Sequence, residues 1–542
     1  MSSSQRAVSG SSKRAAADVE GEASSSRPKV GGEQDALARA GQDDEGMGEF
    51  EDQYEDELES ESGDDGEAAE PGMEIDGVPV DGEIQRPDED EDEAQEDEAQ
   101  VYLPGDKLEE GQTLEPDQSA YEMLHRLNVT WPCLSFDHLR DHLGSNRAKF
   151  PHTAYLVAGT QADVAKNNEL MVMKASGMHK TNKDGATSDD EDDSDDDEDN
   201  LDDDAILEYR SIPVLGGINR VRAAPTSTPT SDLEPCLDPY PVAAWSELGK
   251  VHIYDVRPLF NALDQPGAQI DKRKAHTPMY TVEAHRGVEG YAMDWAGMAG
   301  PSGTSSGGKA SSLRLLTGDI HSNIYLTTSN NSGFVTNPTP FTSHTSSVED
   351  IQWSPNETTV FASCSADCSV RVWDVRVKSR KSVLTLEKAH PQDVNVISWN
   401  RSTDYLLVSG GDEGGLNVWD LRNFKGQTGS SASKPSAVAS FQWHTAPISS
   451  VEWHPTEESV FAASGRDDQV SLWDLAVEHD DDEAGGAGAE RYGPDGREVP
   501  SQLLFCHQGQ NDIKEVHWHP QIPGVLSTTA LSGFNIFRTI SV

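Results

Sequence analysis

Histidine, carboxylate and tryptophan side chains recur at fixed distances in the C-terminal half of this sequence. Each of three histidines is followed by a tryptophan after nine residues and by a Trp-Asp pair after 29 residues, and a carboxylate stands six residues before that pair. The copies are His344 with Asp367 and Trp373, His390 with Glu413 and Trp419, and His444 with Asp467 and Trp473. A histidine beside a carboxylate could act as a general acid or base, provided that a substrate reaches it.

Other signatures of catalysis or metal binding are absent from the sequence. No G-x-S-x-G, phosphate-binding loop or H-E-x-x-H motif occurs. The 5 cysteines have no C-x-x-C spacing, which argues against a disulfide framework or a zinc site and suits a reducing compartment. Because no apolar run reaches the length of a membrane helix and the N-terminus has no apolar signal core, we expect a soluble intracellular protein. We expect neither enzymatic activity nor a cofactor.

Carboxylates are concentrated in two stretches of the chain, whose formal net charge is −54. Residues 1–118 carry 38 acidic and 8 basic residues, and 13 of the 16 residues from 189 to 204 are acidic. The second set is Asp189, Asp190, Glu191, Asp192, Asp193, Asp195, Asp196, Asp197, Glu198, Asp199, Asp202, Asp203 and Asp204. Phosphate binding needs a basic surface, so this charge predicts a basic protein as partner and disfavours direct contact with nucleic acid. A solubilising run is the alternative, although solubility does not require an insertion between two strand-like segments.

Short motifs in and near these stretches suggest modification and targeting. Ser188 and Ser194 have acidic residues three positions later, so an acid-directed kinase could phosphorylate them and add charge; an unmodified loop is the alternative. Lys13-Arg14 and Arg27-Pro28-Lys29 resemble a two-part nuclear import signal, for which chance is the alternative explanation.

Short β-rich runs separated by Gly, Ser, Asn and Pro position the recurring residues. The segments that begin at 343, 389 and 443 align with one another, and this repeat resembles the WD-repeat family, whose fold is a β-propeller of four-stranded blades. Weaker copies surround Tyr254, His285 and His507, and the runs LSFDHL, TAYLVAGTQ and NELMVMKAS supply strands for a further blade. We therefore predict an all-β fold, a seven-bladed propeller over about 130–542.

The resemblance implies that the recurring residues are structural. In WD-repeat proteins they form a buried hydrogen-bond network within each blade, which leaves no substrate access for catalysis. The matching residues are His344, Asp367, Trp373, His390, Trp419, His444, Asp467 and Trp473. In the middle repeat Glu413 replaces the aspartate and Asp412 precedes it, so the completeness of that network stays open.

The segment before the repeats is predicted to begin with a helix. Ser119 and Glu122 have the spacing of a capping box, and apolar residues follow at helical spacing, which predicts a short helix over 119–127. Residues 1–118 contain few aromatic residues and should be disordered. We accordingly divide the chain into a disordered acidic tail (1–118), an N-terminal helix with a strand that closes the ring (119–145), and the propeller (146–542) with an acidic loop insertion at 181–204.

The same segment resembles a narrower group of proteins. The runs YEMLHRLNVTWPCLSFDHL, FPHTAYLVAGTQA and NELMVMKAS resemble the N-terminal region of histone-binding WD-repeat chaperones, and among these they are most similar to the glutamate-rich WD-repeat proteins of ribosome biogenesis. The resemblance covers about 100–542. It implies a monomeric chaperone of the nucleus and nucleolus that escorts a newly made basic large-subunit ribosomal protein, number three in the universal numbering, and that meets pre-ribosomal particles.

The acidic loop suggests where such a client would bind. A mobile polyanion can shield a basic client by mimicking nucleic acid, and its long-range attraction speeds encounter. We hypothesise that the client binds near the predicted helix and is covered by the loop at 189–204. The predicted contact residues on that helix are Tyr121, Glu122, Leu124 and His125.

Two other functions remain open at this stage. One is a histone-binding chaperone or a member of a chromatin complex, since core histones are also basic. The other is a substrate receptor of a cullin ubiquitin ligase, because three repeats end in a (W/Y)-D-x-R sequence whose arginines are Arg257, Arg376 and Arg422. A simpler explanation of those arginines is that each caps a blade edge by pairing with a neighbouring carboxylate.

Overall fold

The computed structural model describes residues 116–181, 204–225, 238–296, 312–424, 436–477 and 499–541. In these ranges the chain forms seven four-stranded antiparallel sheets. The first strands of successive sheets contact one another around a closed ring, in which Glu515–Trp518 of the last sheet contacts Cys133–His138 of the first. The fold is therefore a seven-bladed β-propeller, which confirms the predicted architecture.

The first four blades use strands in chain order from the innermost to the outermost. Blade 1 contains β2 (Cys133–His138), β3 (His152–Thr160), β4 (Glu169–Met178) and β5 (Ile206–Pro213). Blade 2 contains β6 (Ile218–Ala223), β7 (Pro241–Ser246), β8 (Lys250–Asp255) and β9 (Tyr280–Val282). Blade 3 contains β10 (Ala292–Trp295), β11 (Arg314–Gly318), β12 (Ile324–Asn330) and β13 (Gly333–Thr336). Blade 4 contains β14 (Val348–Trp353), β15 (Val360–Ser365), β16 (Val370–Asp374) and β17 (Leu384–Leu386).

The last three blades complete the ring. Blade 5 contains β18 (Val394–Trp399), β19 (Leu406–Gly411), β20 (Leu416–Asp420) and β21 (Ala439–Phe441). Blade 6 contains β22 (Ile448–Trp453), β23 (Val460–Gly465), β24 (Val470–Asp474) and β25 (Leu503–His507). Blade 7 contains β26 (Glu515–Trp518), β27 (Val525–Ala530), β28 (Gly533–Thr539) and, outermost, β1 (Tyr121–Leu127).

Helical structure is sparse in the described part of the chain. Two helices, α1 (Arg257–Asp264) and α2 (Lys272–Ala275), lie between β8 and β9, and three short 3-10 turns occur at Gln118–Ala120, Ala165–Asn167 and Leu421–Phe424. Neither helix is long and apolar enough to cross a membrane.

The N-terminal segment closes the ring as a strand, so the helix predicted over 119–127 is wrong. Only the 3-10 turn at Gln118–Ala120, capped by the side chain of Asp117, precedes β1. β1 pairs antiparallel with β28, and every second side chain from Tyr121 to Leu127 is buried. The same apolar residues fit a helical spacing as well, and the partner that favours the strand lies about 400 residues later in the sequence.

The apolar core lies between neighbouring blades. Strands in the middle of a blade are covered on both sides, so β7, β23 and β27 are buried at all six positions. Large aromatic side chains fill the space between strands; in blade 4 Phe361 stacks on Trp373 with ring centroids 5.7 Å apart.

The connections between strands fall on two faces of the ring, because successive strands run in opposite directions. One face carries the connections from the outermost strand of each blade to the next blade, together with the turns between second and third strands. We call it the crossover face. The opposite face carries the other turns. The predicted acidic insertion joins β4 to β5, the third and fourth strands of blade 1, so its two ends, Thr181 and Asp204, lie toward the opposite face.

Candidate functional site

Each of the three regular repeats holds its histidine in a buried chain of hydrogen bonds. In blade 4, His344 Nδ1 lies 3.0 Å from Asp367 Oδ2 and His344 Nε2 lies 2.7 Å from Ser363 Oγ. Trp373 Nε1–H donates to the same Ser363 Oγ at 2.8 Å. The serine hydroxyl then donates to His344 Nε2, and the Nδ1–H donates to the aspartate. Every polar group of the chain of bonds therefore has a partner.

Blade 5 builds the same chain with a longer carboxylate. His390 Nδ1 lies 2.5 Å from Glu413 Oε1, and Ser409 Oγ joins His390 Nε2 at 2.6 Å to Trp419 Nε1 at 2.8 Å. Glu413 thus stands in the place of the aspartate through Oε1, while its buried Oε2 has no hydrogen-bond partner among the described residues.

Blade 6 supplies the serine from a different strand. His444 Nδ1 lies 2.9 Å from Asp467 Oδ1, and Ser471 Oγ lies 2.7 Å from both His444 Nε2 and Trp473 Nε1. Ser471 belongs to β24, whereas the serines of blades 4 and 5 belong to the second strand. The second-strand position here holds Ala463, which faces Ser471 directly across the sheet.

The bridging serines were missed in the sequence analysis, although a signal exists. Ser363 and Ser409 each follow their histidine by 19 residues. Ser471 follows its histidine by 27 residues, so spacing alone does not reveal the third bridge.

Two weaker repeats keep parts of the arrangement. In blade 3, His285 Nδ1 lies 2.8 Å from Asp319 Oδ2 and His285 Nε2 lies 2.8 Å from Thr317 Oγ1. Between blades 6 and 7, Nδ1 of His507, the last residue of β25, lies 2.7 Å from the hydroxyl of Tyr121, so the closing strand β1 supplies the partner.

Burial determines what these histidines can do. Burial lowers the pKa of His344, although Asp367 acts in the opposite direction, so the imidazole is neutral. Burial by itself would raise the pKa of Asp367, but hydrogen bonds from His344, Ser369 and the Thr345 N–H outweigh it and lower that pKa. The side chain of His344 has no solvent exposure, so a substrate cannot reach it. These groups lock the blades.

A second polar network joins the inner strands around the centre of the ring. Glu515 Oε1 lies 2.6 Å from Arg220 Nη1 and 2.8 Å from Arg222 Nη2, and His517 Nδ1 lies 2.8 Å from Glu452 Oε2. These residues belong to β26, β6 and β22, so the network crosses blades 7, 2 and 6. The spacing of residues in the sequence does not predict this network, because the paired residues are as far as 295 positions apart.

The pKa shifts of this network follow from its charges. Burial would raise the pKa of Glu515, yet Arg222 and its neighbours hold it well below the usual range. Burial would lower the pKa of His517, but the carboxylates of Glu452 and Glu515 raise it to about 9. Both groups are therefore charged at neutral pH. The described residues contain no group of three or more His, Cys, Asp or Glu side chains arranged to hold a metal ion.

The four predicted contact residues of the N-terminal segment all lie on β1. Tyr121 is buried, with its hydroxyl on His507, and His125 is buried with Nε2 2.9 Å from the His179 carbonyl oxygen. Leu124 and Glu122 are partly exposed, and Glu122 pairs with Arg538 at 2.9 Å. Of these four, only Glu122 and Leu124 therefore present accessible side-chain surface to a partner.

The two acidic stretches adjoin β1 at neighbouring points. The backbone N–H of Thr181, the last described residue before the acidic loop, donates to the Glu122 carbonyl at 3.2 Å. Thr181 Oγ1 in turn accepts the N–H of Leu124 at 3.1 Å. The tail 1–118 joins β1 immediately before Tyr121, so both polyanions are attached to the same strand end.

Most of the predicted acidic contact residues lie outside the described residues. Asp204 is described, is exposed, and is close enough to His125 to influence its pKa, which burial lowers. The acidic residues from 189 to 203, and also Ser188 and Ser194, fall in the range that the structure leaves undescribed.

Two of the three arginines of the (W/Y)-D-x-R sequences are paired within their own turns. Arg376 donates to Asp374 and Arg422 donates to Asp420, each through Nη2 at 2.7 Å and through Nε. Arg257 is buried, and its guanidinium lies over the ring of Tyr240. This geometry fits arginines that cap the blade edges.

Comparisons with known proteins agree with the fold. The family model described as "WD domain, G-beta repeat" matches residues 336–374, 380–420 and 435–474. The family model for the histone-binding protein RBBP4 matches residues 111–179, which include β1 and the first three strands of blade 1.

Three relatives match most of the chain. The ribosome assembly protein rrb1 of Schizosaccharomyces pombe is 44% identical over 500 residues, covering 91% of this chain and 93% of the relative. The glutamate-rich WD repeat-containing protein 1 of Dictyostelium discoideum is 42% identical, covering 80% and 83%. The protein HEAT STRESS TOLERANT DWD 1 of Arabidopsis thaliana is 38% identical, covering 82% and 92%. The chain therefore belongs to the family of glutamate-rich WD-repeat proteins.

Proposed function

We propose that this protein is a non-enzymatic chaperone that binds a newly made basic ribosomal protein of the large subunit and supports assembly of that subunit. The observation that carries the proposal is the attachment of two polyanions at one end of β1, through Thr181 and Glu122. A role in ribosome assembly is also what the name of the relative from Schizosaccharomyces pombe states. We propose the ribosomal protein numbered three as the client, and the nucleus and nucleolus as the place of action.

The physical argument begins with charge and geometry. A basic ribosomal protein binds nucleic acid indiscriminately until it reaches its place in the ribosome. Two acidic segments tethered side by side give a high local concentration of carboxylates around a client held near β1. Salt screens charges over about 8 Å at physiological ionic strength, so the effect acts on a client that is already close.

The accessible part of β1 would provide the adjoining contact. Glu122 offers a carboxylate, and Leu124 offers apolar surface on the outer edge of blade 7. Tyr121 and His125 support this edge from inside, since their polar atoms bond to His507 and to the His179 carbonyl. In this proposal they position the strand, and Glu122 and Leu124 contact the client.

The first test is to purify the full chain from cells at near-physiological salt and to identify its stoichiometric partners by mass spectrometry. The proposal expects one large-subunit ribosomal protein in about a one-to-one amount. Core histones in its place would favour the histone-chaperone alternative, which the family match over 111–179 keeps open. A cullin adaptor as the stoichiometric partner would favour a ligase receptor.

The loop is tested by replacing its acidic residues at 189–204 with Asn and Gln. We expect weaker binding of the ribosomal protein and a smaller slope of log affinity against log salt concentration. A second variant neutralises the nine acidic residues between 88 and 98 of the tail, which is the other proposed polyanion, and should weaken binding in the same way. If the loop variant binds with unchanged affinity and slope, the loop does not take part in client binding.

A further inference from the structure

The outermost strand of blade 1 forms a long sheet edge. β5 has 8 residues, whereas the outermost strands of blades 2 to 6 have 3 to 5. β1 in blade 7 has 7 residues, but its outer edge is partly occupied, because the Glu122 carbonyl and the Leu124 N–H both bond to Thr181. β5 is therefore the longest open edge in the part of the chain that the structure describes.

The pairing with β4 determines which backbone groups of β5 point outward. The N–H of Val214, the residue after β5, donates to the Asn168 carbonyl at 2.8 Å, and β4 pairs with β5 without a register shift. Bonds to β4 alternate along an antiparallel strand, so the even-numbered residues of β5 face β4. The N–H and C=O groups of Leu207, Tyr209 and Ser211 consequently point away from the blade.

Two features of the strand agree with this assignment. Arg210 Nη1 donates to the Tyr209 carbonyl at 2.9 Å, so that carbonyl is accessible from outside the sheet. Pro213, which has no N–H, stands at the next outward position, where a sheet tolerates proline. The three outward N–H groups have no hydrogen-bond partner among the described residues. An open row of this kind is a template for a further strand.

The side chains of β5 are symmetric in type about Tyr209. Glu208 precedes it and Arg210 follows it, and both are exposed. Ile206 and Ile212 stand three residues to either side, and the exposed fractions are 61% for Ile206 and 47% for Tyr209. An antiparallel copy of the same segment would therefore place the acidic position opposite the basic one.

One register satisfies both the backbone and the charges. If two copies of β5 pair antiparallel about Tyr209, Leu207 lies opposite Ser211 of the second copy, and every outward N–H meets a carbonyl. Glu208 then lies directly opposite Arg210 of the second copy, in the type of pair whose side chains are closest. Moving the centre by one residue would instead set Glu208 against Glu208 or Arg210 against Arg210.

We propose that a second copy of this chain docks on the β5 edge and joins the two first blades into one continuous sheet. The contact is isologous, since the same strand serves both copies about a two-fold axis. Because only one strand edge from each copy meets, the dimer is weak and reversible, whereas the family resemblance implies a monomer. This inference goes beyond the proposed function and does not rest on it.

The net charge of −54 on each chain opposes association. The two-fold axis, however, places the acidic loops at opposite ends of the paired strands. Asp204, where the loop meets β5, would lie roughly 34 Å from Asp204 of the second copy at about 3.4 Å per residue. That separation is several times the screening length of about 8 Å at physiological ionic strength, so these loop ends do not prevent pairing there.

The test measures the dimer dissociation constant of the full chain by analytical ultracentrifugation at physiological ionic strength. Glu208→Arg and Arg210→Glu each convert both cross-strand pairs into pairs of like charge. Each variant should therefore raise the dissociation constant at least about 10-fold. In an equal mixture of the two variants, both pairs again join opposite charges, so a heterodimer should form with the affinity of the unmodified homodimer.

Two controls make the same charge changes at other exposed positions. Glu357→Arg in blade 4 and Arg466→Glu in blade 6 should leave the dissociation constant unchanged. Tyr209→Pro removes the central outward N–H without removing a bond to β4, and should prevent dimerisation. Urea midpoints equal to that of the unmodified chain establish that the charge variants fold. An unmodified chain that stays monomeric at every concentration, or a mixture of the two β5 variants that does not associate, overturns the inference.

Discussion

The serine of blade 6 gives a sharp test of the idea that the histidine networks lock the blades. Replacing Ser471 with Ala removes the one hydroxyl that lies 2.7 Å from both His444 Nε2 and Trp473 Nε1. Both of those side chains are buried, so the imidazole nitrogen and the indole N–H lose their partner inside the core.

The size of the effect follows from the cost of leaving buried polar atoms unpaired. Each unsatisfied group costs about 1–3 kcal/mol, so two of them should lower the free energy of unfolding by about 2–6 kcal/mol. The β-carbon that remains in alanine keeps the apolar contacts, which confines the change to the hydrogen bonds.

A second substitution in blade 6 should restore part of the stability that Ser471→Ala removes. Ala463 faces Ser471 across the sheet, at the position where blades 4 and 5 carry Ser363 and Ser409. In the double variant Ala463→Ser, Ser471→Ala the hydroxyl moves to the strand that the other blades use. We expect it to recover at least half of the lost stability, whereas Ala463→Ser alone should change little.

Urea unfolding followed by tryptophan fluorescence measures these differences, with circular dichroism as a second probe to check for intermediates. The m-value should be equal in all variants. A Ser471→Ala loss below about 0.5 kcal/mol, or a double variant no more stable than the single one, would refute the assignment of the serine as the bridge between histidine and tryptophan.

Two further predictions concern the network at the centre of the ring. Glu515→Gln leaves Arg220 and Arg222 without their shared buried carboxylate. The variant should therefore lower the free energy of unfolding by about 3–5 kcal/mol. A urea midpoint equal to that of the unmodified chain would contradict the pairing. The pKa of His517 is raised to about 9 in the folded chain, so its stabilising effect is complete below its ordinary value near 6.5 and is lost as pH rises to about 9. Between pH 6 and 9.5 the free energy of unfolding should fall less steeply with pH in His517→Gln than in the unmodified chain. Equal slopes of the free energy of unfolding against pH in the two proteins would contradict the raised pKa.

The repeats were predictable because their physics is local. A histidine, a turn carboxylate and a tryptophan within 30 residues must meet if the segment folds into one blade, so blades 4, 5 and 6 followed from spacing alone. Blade 2 lacks the full set and was predicted as a weaker copy around Tyr254, and the strands of blade 1 were predicted only as short apolar runs such as those that became β3 and β4.

The error at β1 shows where local reasoning ends. Residues 121–127 satisfy both a helical spacing and an alternation of two, and the capping-box spacing of Ser119 and Glu122 favoured the helix. The structure instead caps a 3-10 turn with Asp117 and pairs the segment with β28. Ring closure decides the outcome, since without β1 the last blade would expose the edge of β28.

The inner network was beyond prediction for a related reason. Glu515 is neutralised by arginines that enter from another blade, and only the closed ring brings them within 2.8 Å. A charge that is costly to bury alone is acceptable there because the folded ring supplies its partners. The ion pairs of Glu515 therefore form only when the ring is closed, whereas the histidine networks form within single blades.

The placement of β1 links stability to the proposed function. Tyr121 completes the polar shell of His507 on β25 of blade 6, while the backbone of Glu122 and Leu124 on the same strand as Tyr121 holds Thr181 at the start of the acidic loop. A chain that failed to close its ring would lose the hydrogen bonds that hold Thr181 beside β1. In the proposed function, the local concentration of carboxylates around a client depends on the same strand pairing that closes the propeller.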